Sequence, residues 1–173
     1  MYCAVVLDEV VKMAILTRKV RPWGQLKTGL KRRNFMTGSE KKSVVLQNST
    51  DMAIIANGPL MAETLDAAEI LAHQDISTRV INMATVKPLD EGVVLTSAKE
   101  YGKIITCEEH STIGGLGEAM CAVIVQHGLA CTAERMNGND EFGHSGSDGA
   151  LFLQFGLCAG HIAETGQKMC SSL

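Results

Sequence analysis

The stretch "EEHSTIGGLGEAM", residues 108 to 120, gathers the residue types in this chain most able to do chemistry. Glu108, Glu109 and His110 are candidates for general acid/base work, because a carboxylate beside an imidazole can orient it and tune its protonation. Gly114, Gly115 and Gly117 then lead into an apolar run. A glycine turn that opens a helix offers backbone N–H groups to an anion, so the loop is a candidate anion or interface site. Consecutive residues on an extended chain alternate sides, so Glu108, Glu109 and His110 do not all converge. One glutamate pairs with His110 or caps the helix, and the other is structural or solvated. From Gly115 the run G-L-G-E-A-M puts Met120 where a dinucleotide fingerprint needs a third small residue, and no phosphate-loop lysine is present. The turn therefore reads first as a device that seats a helix close against a strand, with an anion site as the alternative.

Three other loops contribute polar residues: "NGP" brings Asn57, "ATVKPLD" brings Lys87, and "NGNDEFGHSG" brings Asp140, Glu141 and His144. In an open parallel sheet such loops gather outside the carboxyl ends of the strands, where ligands bind. His73 and His127 fall at helix C-termini, where a cation suits the dipole. Ser111 and Ser145 lack the G-x-S-x-G elbow of a serine nucleophile. Cys3, Cys107, Cys121, Cys131, Cys158 and Cys170 form no CxxC pair and no zinc-ligand spacing, so no metal is expected. Taken alone, the residues give a polar edge without a complete catalytic set.

The elements that must hold this edge follow from periodicity. "SVVLQ" and "MAIIANG" read as strands. From Pro59, "PLMAETLDAAEILAHQ" carries Leu60, Met61, Leu65, Ala68, Leu71 and Ala72 on one stripe, with Glu63, Asp66 and Glu69 mostly outside it. "ISTRVINM" is the next strand. "KPLDEGVVLTSAKEYG" forms a turn and a helix, with Asp90 as N-cap and Gly102 past the end. "KIITCEE" is a strand covered on both faces. "GGLGEAMCAVIVQHG" is a helix apolar nearly all round, expected to be buried on two sides. "LACTAERM" is a further strand, and two short helices, "ALFLQFG" and "AGHIAETGQKMC", close the chain. This order predicts an α/β fold: a three-layer α/β/α sandwich on a mostly parallel five-stranded sheet, with the first strand antiparallel at an edge.

Charge divides the chain of 173 residues unevenly. Residues 1–43 hold ten of the sixteen Lys+Arg and three of the nineteen Asp+Glu, a local charge of +7 that leaves −10 for the remainder. The chain reads as a basic, poorly ordered arm over 1–42 attached to an acidic α/β domain over 43–173. No nucleic-acid module surrounds "KTGLKRRN", and no apolar run approaches the roughly 18 residues of a membrane span. Without a signal h-region or a disulfide framework, a cytoplasmic location is expected.

"KSVVLQNSTDMAIIANG", "VKPLD", "EEHSTIGGLGEAM", "NDEFGHSG" and "FGLCAGHIAETGQK" follow one another in the order and spacing of the C-terminal domain of transketolase. The resemblance runs from about Lys42 to Lys168. The K-P-L-D and E-E-H-x-x-x-G-G-L-G pieces are similar, more loosely, to 1-deoxyxylulose-5-phosphate synthase and to 2-oxo acid dehydrogenase β chains. "DEFGHSG" with "GLCAGHI" resembles transketolase specifically, although His144 stands where glutamate is usual. The resemblance implies part of an enzyme that transfers ketol units between sugar phosphates, with thiamine diphosphate and Mg²⁺ held on partner domains and none on this chain. It implies a structural, assembly or regulatory role, homodimer support included, and no activity for the chain alone. A free-standing anion or sugar-phosphate binding module is the alternative.

Overall fold

The computed structural model describes residues 43–138 and 145–171. The basic arm and the residues Asp140, Glu141 and His144 lie outside them. The chain runs β1 (Val44–Gln47), β2 (Met52–Ala56), α1 (Leu60–Ala72), β3 (Thr78–Asn82), α2 (Glu91–Tyr101), β4 (Lys103–Cys107), α3 (Leu116–Gln126), β5 (Thr132–Met136), α4 (Asp148–Gln154) and α5 (Ala159–Ser171). The strand order is β1-β3-β2-β4-β5. β2 pairs in parallel with β3 and β4, and β4 with β5, while β1 runs antiparallel beside β3. The expected five-stranded sheet and its antiparallel edge are both present.

Two apolar layers flank the sheet, and strand alternation decides which residue feeds which. Met52, Ile54 and Ala56 of β2, with Ile105 and Cys107 of β4, pack under α1 and α5. Ala53, Ile55 and Ile104 point the other way, against α2 and α3. β2 is buried along its whole length, as a central parallel strand should be. Each fully covered Ile, Leu or Met contributes about 1.5–3 kcal/mol of transfer free energy.

Helix ends obey the signals written for them. Asp90 accepts from Val93 N through its side chain, and Gly102 closes α2 in the left-handed conformation at φ 63°. Pro59, at φ −65°, precedes α1 without needing an N–H. His73 and His127 occupy the C-caps of α1 and α3.

Three expectations need correction. α3 is covered on one face only: Leu116, Gly117, Met120, Val123 and Ile124 are buried, whereas Val125 is 76% exposed. Among the described residues only a single layer of helices lies on that side of the sheet, and none of them meets the outer face of α3. Glu63 does not stand outside the α1 stripe but is buried, because the start of α5 packs over it. The last helix is not short; at 13 residues α5 matches α1, its main packing partner.

Candidate functional site

β4 ends at Cys107 and the sheet pattern continues one step further, with Glu108 N donating to Met136 O at 3.1 Å and Asn57 N to Cys107 O at 3.2 Å. Alternation then fixes the next side chains. Glu108 shares the parity of Ile104, whose side chain lies on the α3 side, and Glu109 shares that of Ile105 and Cys107. The carboxylate of Glu108 accordingly turns to the start of α3. It accepts from Leu116 N at 2.6 Å and Gly117 N at 2.9 Å, and the residue is 2% exposed. Of the two roles open to a glutamate here, Glu108 takes the helix cap.

The glycines are shaped around that carboxylate. Gly114 adopts φ 78°, which an L side chain resists. Gly115 has an ordinary φ of −92°, so its requirement is space: a Cβ there would lie 2.6 Å from Glu108 Cδ. At Gly117 a Cβ would sit 2.8 Å from Arg135 Cδ and 2.9 Å from Thr106 Oγ1. The loop is sewn down further by Glu118, which accepts from Gly114 N at 2.6 Å, and by Thr112, whose hydroxyl donates to Asn137 Oδ1 at 2.8 Å. A helix N-terminus ready for an anion already holds one, supplied eight residues earlier in the chain.

The remaining candidates do not join Glu108. His110 is exposed, with Nδ1 3.1 Å from Ser111 O, and its own carbonyl accepts from Gly138 N at 3.0 Å. Asn57 is half-buried at the end of β2, and Lys87 is exposed beside a cis peptide to Pro88. Glu109 is exposed, yet partial burial of its carboxyl, aided by the Asp148 charge, raises its pKa above the ordinary carboxylate value. Above that ordinary value the folded chain binds more proton at Glu109 than the unfolded one does. Its contribution is therefore favourable at lower pH and is lost as pH rises through the raised value. Glu109→Gln is expected to leave stability unchanged below the ordinary carboxylate value and to raise it slightly at neutral pH, within about 0.5 kcal/mol, as urea unfolding at the two pH values would show.

Two buried groups stand at the other face, and of these sequence reasoning misplaced Glu63. Glu63 Oε2 accepts from Ala159 N at 2.9 Å, placing a second internal carboxylate at the start of a second helix. Cys107 is fully buried, and burial pushes its thiol pKa to about 12 against the weaker opposing effect of the Thr64 hydroxyl, so it is no nucleophile at neutral pH. Cys158 Sγ, just before α5, and His161 Nδ1, in its first turn, lie 3.1 Å apart at the helix start that Glu63 already occupies. Among the described residues, no group of three His, Cys, Asp or Glu side chains is placed to hold a metal ion.

The family profile "Transketolase, C-terminal domain" matches residues 41–162. This chain belongs to that family. A transketolase C-terminal section of Methanocaldococcus jannaschii is 41% identical over 123 residues, which are 71% of this chain and 38% of that protein. The 1-deoxy-D-xylulose-5-phosphate synthase of Heliobacterium modesticaldum is 31% identical over 74% of this chain and 20% of its own length. Among solved structures, a split-gene transketolase described as an inactive β4 tetramer superimposes with a TM-score of 0.65 at 34% identity, over 73% of this chain and 40% of that one. The transketolase C-terminal domain thus spans about two-fifths of the first relative and one-fifth of the synthase. Among the described residues no helix is long and apolar enough to cross a membrane.

Proposed function

We propose that this chain is the non-catalytic C-terminal module, or small subunit, of a transketolase. In this reading it transfers no ketol unit itself and completes an enzyme whose other domains bind thiamine diphosphate, Mg²⁺ and the sugar phosphates. The observation that carries the reading is the buried carboxylate of Glu108 at the N-terminus of α3. A diphosphate brought to that turn would meet like charge in a site without room, since even a Cβ at Gly115 collides with the carboxylate. The residues of the loop therefore do not fit the cofactor's anionic end. Nor do they supply a base: Glu108 is buried with both oxygens held by backbone N–H groups, and among the described residues no carboxylate orients His110.

The same occupancy argues against a free-standing sugar-phosphate sensor at this loop. What the loop does is lock β4, α3 and β5 into one rigid corner, as a module that must present a fixed surface requires. The relatives' length beyond the matched segment leaves room for the cofactor-binding domains on the same or another chain.

The test is a ketol-transfer assay with thiamine diphosphate and Mg²⁺. The chain alone is expected to give the rate of a protein-free blank. Added to a transketolase whose own C-terminal domain has been deleted, and whose folding is verified by circular dichroism, it is expected to raise turnover at least tenfold over the deleted enzyme. Turnover by the 173-residue chain alone would overturn the reading.

A further inference from the structure

Cys107, Cys121, Cys131, Cys158 and Cys170 are all free thiols, and their surroundings differ. Burial pushes Cys107 to about 12 and raises Cys131 and Cys170 above the ordinary thiol value. Cys121 leans on the core beneath α2 and α3. Among the described residues only Cys158 has an imidazole within hydrogen-bond distance: His161 Nδ1 lies 3.1 Å from its Sγ.

The fold holds this pair from several sides. Buried Leu157 anchors the chain just before Cys158, and Glu63 Oε2 accepts from Ala159 N just after it. The carbonyl of Cys158 accepts from Ile162 N at 3.1 Å, which makes Cys158 the N-cap of α5 and sets His161 on the first turn. The His161 ring stands over the Gly156 turn, its Cγ 4.0 Å from where a Cβ on that glycine would lie. The thiol is half-buried and the imidazole exposed, so a small solute can reach both. The dipole of α5 is not what distinguishes this thiol, because the Glu63 carboxylate already faces the first turn. The imidazole is. With only two ligating side chains, the pair falls short of a metal site.

We propose that Cys158 and His161 form a reactive thiol–imidazole pair, a site at which hydroperoxides modify this chain covalently. His161 Nδ1 takes the thiol proton, and Sγ attacks one oxygen of the peroxide. The S–O bond forms as the O–O bond breaks; sulfur is oxidised by two electrons and the peroxide is reduced. The proton on Nδ1 passes to the departing oxygen, so that hydrogen peroxide leaves water behind and Cys158 becomes a sulfenic acid. A thiol reductant reverses the change. The step needs no partner domain, so it is independent of the transketolase reading above.

The experiment treats the full chain with hydrogen peroxide at neutral pH in the presence of dimedone, which traps sulfenic acids, and locates the adducts by peptide mass spectrometry. The adduct on Cys158 is expected to form about tenfold faster than that on Cys121. His161→Gln should slow it about tenfold and leave Cys121 labelling unchanged. His161→Ala should be slowed likewise, and added imidazole should recover the rate, a rescue that a packing role of the ring would not show. Should His161→Gln melt early by circular dichroism, the His161→Ala rescue carries the test. Labelling of Cys158 no faster than that of Cys121 would overturn the proposal, as would labelling that neither His161 variant slows. A slowed His161→Ala variant that imidazole fails to rescue would reduce the ring to packing and overturn it as well.

Discussion

Glu108→Ala is expected to cost this domain about 3 kcal/mol, the combined effect of removing a charge-assisted acceptor and leaving buried N–H groups unpaired. For a chain of this length that corresponds to a fall in Tm of roughly 6–12 °C. The size of the loss follows from occupancy: the carboxylate serves Leu116 N and Gly117 N while nearly sealed from water, so no solvent molecule replaces it cheaply. Glu108→Gln keeps one acceptor oxygen and should lose about half as much. A more discriminating result comes from Gly115. In the native background Gly115→Ala drives a methyl into the carboxylate, whereas in the Glu108→Ala background the same methyl enters vacated space. The two substitutions should therefore be non-additive, with a coupling above about 1 kcal/mol in a double-mutant cycle read by urea unfolding. Additive losses would mean that Gly115 is glycine for some reason other than the carboxylate.

Glu63→Ala should be nearly as damaging, at about 2 kcal/mol, and for the same physical reason on the opposite face. The residue is 7% exposed and holds Ala159 N at 2.9 Å across a sequence separation of 96. Its loss frees the first turn of α5 from α1, and α5 covers Met52 and Leu71 through the tight crossing at Gly166, where a Cβ would come within 3.0 Å of Leu71 Cδ1. Hydrogen exchange should show α5 opening before the sheet does, a local release rather than uniform loosening. Glu63→Gln, which preserves an acceptor, should retain most of the protection. If the Ala and Gln variants open alike, the charge rather than the hydrogen bond is what matters at this position.

Much of the fold is legible because it depends on signals of short range. Asp90, Gly102 and Pro59 mark their helix ends by chemistry that operates within one turn, and each sits where that chemistry puts it. The unbroken apolar run of β2 announces a strand covered twice. What composition does not tell is which apolar face lacks a neighbour: α3 is apolar nearly all round in sequence, yet Val125 meets solvent because the described residues form no second layer on that side. Periodicity misplaces Glu63 for a related reason. On a helical wheel it stands beside the polar stripe, and only the arrival of α5 from 96 residues away makes its position interior.

The two glutamates are the instructive case. Their roles are separable in principle, since β4 delivers alternate side chains to opposite layers and Glu108 continues the register of Ile104 while Glu109 continues that of Ile105. Extending the alternation past the strand end identifies the cap. It does not identify the Asp148 charge that acts on Glu109, because α4 comes from a distant stretch of chain.

The sheet also has a termination problem, visible in β5. Among the described residues this strand has β4 on one side and nothing on the other, so a row of main-chain donors and acceptors faces outward. Such a rim is a template on which another extended chain can grow. Here its exposed residues include Glu134 and Arg135, consecutive and of opposite sign, which put one charge on each face of the rim. An incoming identical strand, antiparallel or parallel, must desolvate both charges before its own hydrogen bonds form. The pair thus acts as a guard against ribbon growth along the free rim of β5.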